Sequence, residues 1–144
     1  MRFMDFGMTA DIIVEEGNNV VLIKRKNEPY KGSWEFPGGF VEKNETVEEA
    51  ALREVTEETS LKVRLKEILG VYSSADRDPR GRVATVVFVS EKIGGKLKAS
   101  SDAEDAKWFD VTSMDAESLA FDHPKIIKDY RRWKKQKGTY WSGK

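Results

Sequence analysis

The chain has no cysteine. That excludes disulfides, thiolate metal sites and a cysteine nucleophile, and it fits a reducing compartment. Any metal must therefore sit on oxygen or nitrogen ligands. Long apolar runs are also missing. The longest, Val83–Val89, has 7 residues and is broken by Thr85, whereas a membrane helix needs about 20. A soluble protein with no membrane partner is predicted. The opening segment, Met1–Glu16, carries no apolar block followed by a small-residue cleavage site, so a cytoplasmic location is expected. Neither sign of charge is in excess, since 25 Lys and Arg balance 25 Asp and Glu. With no repeat, linker or low-complexity segment, the 144 residues read as one domain, 1–144. A 39% apolar content suffices to fill a core of this size, which excludes intrinsic disorder.

The overall balance conceals two opposed tracts. Glu42–Glu58 holds seven acidic and two basic residues, whereas Pro124–Lys144 holds eight basic residues and one acidic, interleaved with Tyr130, Trp133, Tyr140 and Trp141. The usual meaning of such a run is a solvated face. In the basic tract, Ile126, Ile127, Tyr130 and Trp133 recur at helical spacing over Pro124–Lys135. One buried face with its cations in water is the favoured reading, and phosphate-backbone binding to nucleic acid is the lesser one.

Hydrophobic patterning places the other elements. Ile12 to Val14 and Val20 to Ile23 flank Gly17-Asn18-Asn19, a hairpin signature. Asn27–Ser33 is a loop with Pro29 and Gly32, and Pro37-Gly38-Gly39 breaks the chain after Trp34-Glu35-Phe36. Asn44–Thr59 has helical spacing of Val47, Ala50, Ala51, Leu52 and Val55, with Asn44 as the expected cap. Strands are expected over Leu61–Tyr72, Arg82–Ser90 and Ala106–Val111, with a polar loop over Ser73–Gly81 and a turn at Gly94-Gly95. Strands with a few interspersed helices predict a mixed α/β domain with helices packed on a sheet.

The acidic helix carries the chemistry. At 100° per residue Glu54, Glu57 and Glu58 fall within an arc of about 100°. They continue the stripe of Val47, Ala50 and Ala51, which faces protein. Like charges crowded there repel and are poorly solvated, and Arg53 alone does not neutralise three of them. A hard divalent cation such as Mg2+ suits several carboxylate oxygens. Gly38 and Gly39, just before the helix, permit close backbone approach to a ligand and let a carbonyl turn toward a bound ion.

Gly39, Glu45, Arg53-Glu54, Glu57-Glu58 and Leu61 stand at the spacing of the Nudix box, and over these 23 residues the chain strongly resembles that family. Only the final glycine differs, being Ser60. Glycine there ends the helix in the left-handed conformation, so serine is expected to cost on the order of 1 kcal/mol while touching no metal ligand. The resemblance implies a Nudix-type α/β/α sandwich, with a mixed sheet and helices on both sides. It also implies a hydrolase of nucleoside diphosphates linked to another moiety, dependent on Mg2+ with Mn2+ as a possible substitute. Glu54, Glu57 and Glu58, with the Gly38 carbonyl, would be the metal ligands. Gly39 and Glu45 would support them, and Arg53 would hold a glutamate by a charged hydrogen bond. A general base is sought among Glu57, Asp102 and Glu104. Family members of this kind are commonly dimers, so a homodimer is possible.

The loop Tyr72–Arg82 carries Arg77, Arg80 and Arg82 beside Asp76 and Asp78, and guanidinium groups grip phosphates bidentately. Its Asp78-Pro79-Arg80-Gly81, together with Ala120-Phe121-Asp122-His123, resembles the ADP-ribose pyrophosphatase branch. Arg25, Trp34, Arg77 and Arg80 are accordingly the candidate contacts to a small nucleotide substrate. His123, the only histidine, reads as a structural or capping residue rather than a catalyst. The alternatives are a housecleaning hydrolase of oxidised or noncanonical nucleoside triphosphates, and a non-catalytic nucleotide sensor.

Overall fold

The fold is described from a computed structural model, which covers residues 5–99 and 103–144. The first hairpin pairs β1 (Gly7–Glu16) with β2 (Asn19–Arg25) through Gly17, whose φ of 61° suits a tight reversal. After the short strands β3 (Trp34–Glu35) and β4 (Gly38–Phe40) comes helix α1 (Val47–Thr59). Strands β5 (Leu61–Tyr72), β6 (Val83–Gly95) and β7 (Ala103–Asp110) follow, then a 3-10 turn at Ala116–Ser118, helix α2 (His123–Lys135) and β8 (Tyr140–Trp141). Among the described residues no helix is long and apolar enough to cross a membrane.

The strands form one mixed sheet ordered β3-β2-β1-β6-β5-β8, with β4 on β1 and β7 on β2. β1 runs parallel to β6 and antiparallel to β2 and β4. Side chains alternate across a strand. Hence Ala10, Ile12 and Val14 of β1 join Val86 and Phe88 of β6 in a core under Ala50, Ala51 and Val55 of α1. On the opposite face, Ile13, Val87 and Val89 meet Ile126, Ile127, Tyr130 and Trp133 of α2. Both faces of the central strands are therefore covered, which is the sandwich expected from the sequence.

Local boundaries differ from expectation in places. The helix is capped by Thr46 rather than Asn44, because Thr46 and Glu49 satisfy each other's backbone amides at 3.1 and 3.0 Å in a capping box. Gly94 and Gly95 end β6 in register with Lys62 and Leu61 instead of forming a turn. β7 begins three residues before the expected Ala106, drawn out by pairing with Arg25 and Lys24. Ser60 does adopt the left-handed conformation, with φ 63°.

Candidate active site

Helix α1 presents its acidic arc to the backbone of β4. The Gly38 amide donates to Glu58 Oε1 at 2.8 Å, and a Cβ at Gly39 would run into the Glu54 carboxylate. A Cβ at Gly38 would collide with Asp11. This close approach requires glycine at both positions. β4 is itself fixed to β1 by the flanking bonds Ile12 N to Pro37 O and Val41 N to Met8 O, both 2.9 Å.

Arg53 organises the outer side of the arc. Its guanidinium donates to both Glu45 oxygens at 2.6 and 3.1 Å, to Glu54 at 2.8 Å, to Glu57 at 3.3 Å and to the Phe40 carbonyl at 3.2 Å. Five fixed donors thus tie three carboxylates to the β4 loop.

Inward of β4 lies a cavity of about 260 Å³, whose walls include Asp11, Arg25, Glu35, Gly38, Gly39, Glu58, Arg77, Arg80, Phe121 and His123. Its acids are held in unfavourable surroundings. Burial pushes the Glu58 carboxyl up to about 9, against the Gly38 amide and reinforced by Glu54, Glu35 and Asp11. Burial likewise raises Glu35 to about 7 despite the Arg25 guanidinium, with Asp11 adding to the rise. Asp11 is raised by burial against the pull of His123 and the Thr85 hydroxyl, which donates to it at 2.7 Å. Burial lowers His123 below its ordinary value, and its Nδ1 accepts the Phe36 amide at 3.1 Å.

Among the described residues no three acidic or imidazole side chains are gathered into a ready-made cage. The donor set nevertheless fits a hard divalent cation. Glu54 and Glu58 are half-buried on successive turns, backbone passes close enough to exclude any Cβ, and the local excess of carboxylate is what a dication neutralises.

Residues 5–130 match the family model for the NUDIX domain. The chain belongs to this family. It is 57% identical over 127 residues to an ADP-ribose pyrophosphatase of Methanocaldococcus jannaschii, covering 88% of this chain and 74% of that protein. It also resembles the NUDIX domain of Shewanella oneidensis NrtR complexed with ADP ribose, with TM-score 0.75, 29% identity and coverage of 90% and 89%. A third likeness is to a bifunctional NMN adenylyltransferase/ADP ribose pyrophosphatase of Francisella tularensis, complexed with AMP and a Mn ion. There the TM-score is 0.82 and the identity 27%, over 96% of this chain and 44% of that one.

Within this NUDIX domain the substrate candidates occupy different settings. Arg25 lines the cavity, donating to the Pro29 carbonyl at 2.6 Å and to both Glu35 oxygens at 2.9 and 3.1 Å. Arg80 leans on Asp78 at 2.8 and 3.0 Å but leaves its side chain 50% exposed. Arg77, only 5% exposed, is forked onto Asp122 at 2.8 and 2.9 Å. Trp34 packs edge-on against Phe109 and is not part of the cavity wall. Glu57 is 59% exposed, and Glu104 pairs with Lys24 at 3.7 Å. Asp102 lies outside the described residues.

Asp11, Glu35 and Phe121 were not singled out by the sequence reading. A signal existed for the first, because Asp11 and Thr85 each interrupt an apolar strand, and across the β1–β6 pair they bond to each other. Phe121 lies in the Ala120-Phe121-Asp122-His123 motif and Glu35 in the Trp34-Glu35-Phe36 segment, but neither pattern marks the individual side chain as part of a site. Phe121 stands in the left-handed region, φ 53°, with the Arg25 guanidinium 4.9 Å and that of Arg80 5.6 Å from its ring.

Proposed function

We propose that this protein is a pyrophosphohydrolase that uses a divalent metal, Mg2+ with Mn2+ as a substitute, to cleave ADP-ribose into AMP and ribose 5-phosphate in the cytoplasm. One observation carries the reading: a single cavity joins Glu58 of α1 and the Gly38-Gly39 backbone, against which Glu54 packs, to two arginines flanking an aromatic ring. The first feature suits a metal-bridged pyrophosphate and the second a phosphate chain ending in a base or sugar. The 57% identity to a protein named ADP-ribose pyrophosphatase supports the substrate.

Glu54, Glu57 and Glu58, with the Gly38 carbonyl, would hold the metal. When bound, the ion neutralises the pyrophosphate oxygens and acidifies the attacking water. The protein groups do the rest. Arg53 and Glu45 fix the carboxylates so that they need not reorganise. Arg80 offers its exposed guanidinium to a phosphate, while Arg77, already forked to Asp122, holds the wall. Water oxygen bonds to one phosphorus as the bridging P–O bond breaks, and the bridging oxygen leaves with the other phosphate. Of Glu57 and Glu104 we take Glu57 as the base: it is an exposed carboxylate, and the oxygen it does not give to the metal would accept the water proton.

The test is product release from ADP-ribose, NADH, diadenosine polyphosphates and 8-oxo-dGTP, each with Mg2+ and with chelator. Preferential metal-dependent cleavage of ADP-ribose is expected, with Glu57→Gln inert. Preference for 8-oxo-dGTP would reassign the substrate, and tight binding of ADP-ribose without cleavage would favour a sensor.

A further inference from the structure

Segment 119–123 runs beside β3 as a short parallel neighbour. Trp34 and Leu119 form a parallel bridge, and the Ala120 amide donates to the Trp34 carbonyl at 2.9 Å. In a continuing parallel ladder the next donor, the Phe36 amide, would find the Ala120 carbonyl. That carbonyl is instead taken by the His123 amide at 3.0 Å, as the chain turns through Phe121 into α2. The Phe36 amide is satisfied by His123 Nδ1, 3.1 Å away, and the imidazole stands in for the missing rung. Its ring lies 5.4 Å from that of Phe36 and is 3% exposed. Because Nδ1 accepts, the ring proton is assigned to Nε2, which faces Asp11 Oδ2 at 3.9 Å.

The position of this rung matters. Only Pro37, with its fixed φ, separates Phe36 from Gly38. Gly38 is the residue whose amide holds Glu58 and whose Cα abuts Asp11. We infer that His123 is a positioning residue for the metal-bearing backbone, fixing the Phe36–Gly38 segment through the Phe36 amide so that Gly38 is presented to the glutamates of α1. The same five-residue strip carries Phe121 in the cavity wall and Asp122 on Arg77, so substrate wall and metal backbone share one support. The inference rests on the divalent-metal part of the proposed function and is independent of which nucleotide is cleaved.

The experiment is Mn2+ binding followed by water-proton relaxation without nucleotide, on wild type, His123→Leu and His123→Asn. Asparagine places Oδ1 where Nδ1 stands and retains the acceptor; leucine fills the space without one. His123→Leu is expected to weaken Mn2+ about tenfold or more, as loss of a group supporting metal ligands does. It should also speed exchange of the Phe36 amide and lower kcat more than it alters KM. His123→Asn should keep Mn2+ affinity within about threefold of wild type. Unchanged Mn2+ affinity in His123→Leu overturns the inference, as does equal weakening in both variants. Should His123→Leu not fold, His123→Asn decides alone, near-wild-type affinity supporting the role and tenfold loss refuting it. Failure of the substrate assignment would show as absent turnover of ADP-ribose with these binding differences intact, whereas a wild type that binds no Mn2+ removes both.

Discussion

Glu58 and Asp129 are both acidic side chains withdrawn from water, one on each helix of the sandwich, and the protein treats them in opposite ways. Asp129, 2% exposed, accepts Lys125 at 2.8 and 3.0 Å and the Tyr72 hydroxyl at 2.8 Å, with Arg132 at 3.7 Å. Glu15 of β1, also against α2, takes Lys66, Lys134 and the Tyr130 hydroxyl, and these partners hold it below the usual carboxylate range despite its burial. Every charge there is answered, and the bonds tie α2 to β5 and β1. Glu58 receives one backbone amide and faces Glu54, Glu35 and Asp11. Paired acids hold this fold together. Crowded acids cost it stability until a cation arrives.

Glu58→Gln gives the largest effect. It removes a metal ligand and should reduce hydrolysis about a thousandfold, several kcal/mol of transition-state stabilisation. The amide oxygen still accepts from Gly38, and the crowded charge is gone. In chelator at pH 9 the variant should therefore be more stable than wild type, by on the order of 1 kcal/mol. Asp129→Asn should do the reverse, losing on the order of 1 kcal/mol because the bonds from Lys125 and the Tyr72 hydroxyl then reach a neutral amide instead of a carboxylate, while ADP-ribose turnover of the folded protein persists. Denaturation curves of both variants in chelator break the comparison if their stabilities move in the same direction.

Glu45→Gln sharpens it within the active end. Glu45 is paired to Arg53 but touches no proposed metal position, so the expected loss is about 10- to 100-fold in Mn2+ affinity, with little change in unfolding free energy. A drop in stability comparable to that of Asp129→Asn would show that this pair serves the fold instead.

The pH dependence of metal-free stability differs in sign between the crowded and the paired acids. Glu58 at about 9 and Glu35 at about 7 lie above their ordinary 4.5, so the folded state holds protons that the unfolded chain releases. Metal-free stability should then fall as pH rises above about 4.5, the Glu35 part being complete near 7 and the Glu58 part near 9. Glu15 works oppositely, its depressed value adding stability above the ordinary carboxylate range that is lost on acidification. Glu58→Gln should remove the fall between pH 7 and 9. If the decline persists in that variant, another group is responsible.

What the sequence disclosed follows the same division. The clustering of Glu54, Glu57, Glu58 and Arg53 beside Gly38-Gly39 was legible because it resides in spacing along one helix and the turn before it. β5 ends where its pattern ends, at Tyr72. The support of the site was not legible. Asp11, Glu35 and His123 acquire their roles from neighbours 74, 10 and 87 residues away, Thr85, Arg25 and Phe36, and no local periodicity records such pairings. Arg77 illustrates the limit: its residue type suits phosphate, but tertiary contact gave it to Asp122.

Ser60 belongs to neither end and offers the smallest effect. It closes α1 with φ 63° and ψ 11°, its amide donating to Thr56 O at 3.0 Å. A side chain there bears the left-handed penalty that glycine escapes, whereas glycine loses more chain entropy on folding. The first term is the larger, so Ser60→Gly should stabilise the protein by about 0.5 kcal/mol and raise Tm by one or two degrees. Turnover and Mn2+ affinity should stay unchanged, because the glutamates lie in the turn before this cap and are positioned by Arg53 and β4 rather than by the helix end. A Ser60→Gly protein with altered Mn2+ affinity would mean that the helix terminus, and not the arginine, sets the carboxylate arc.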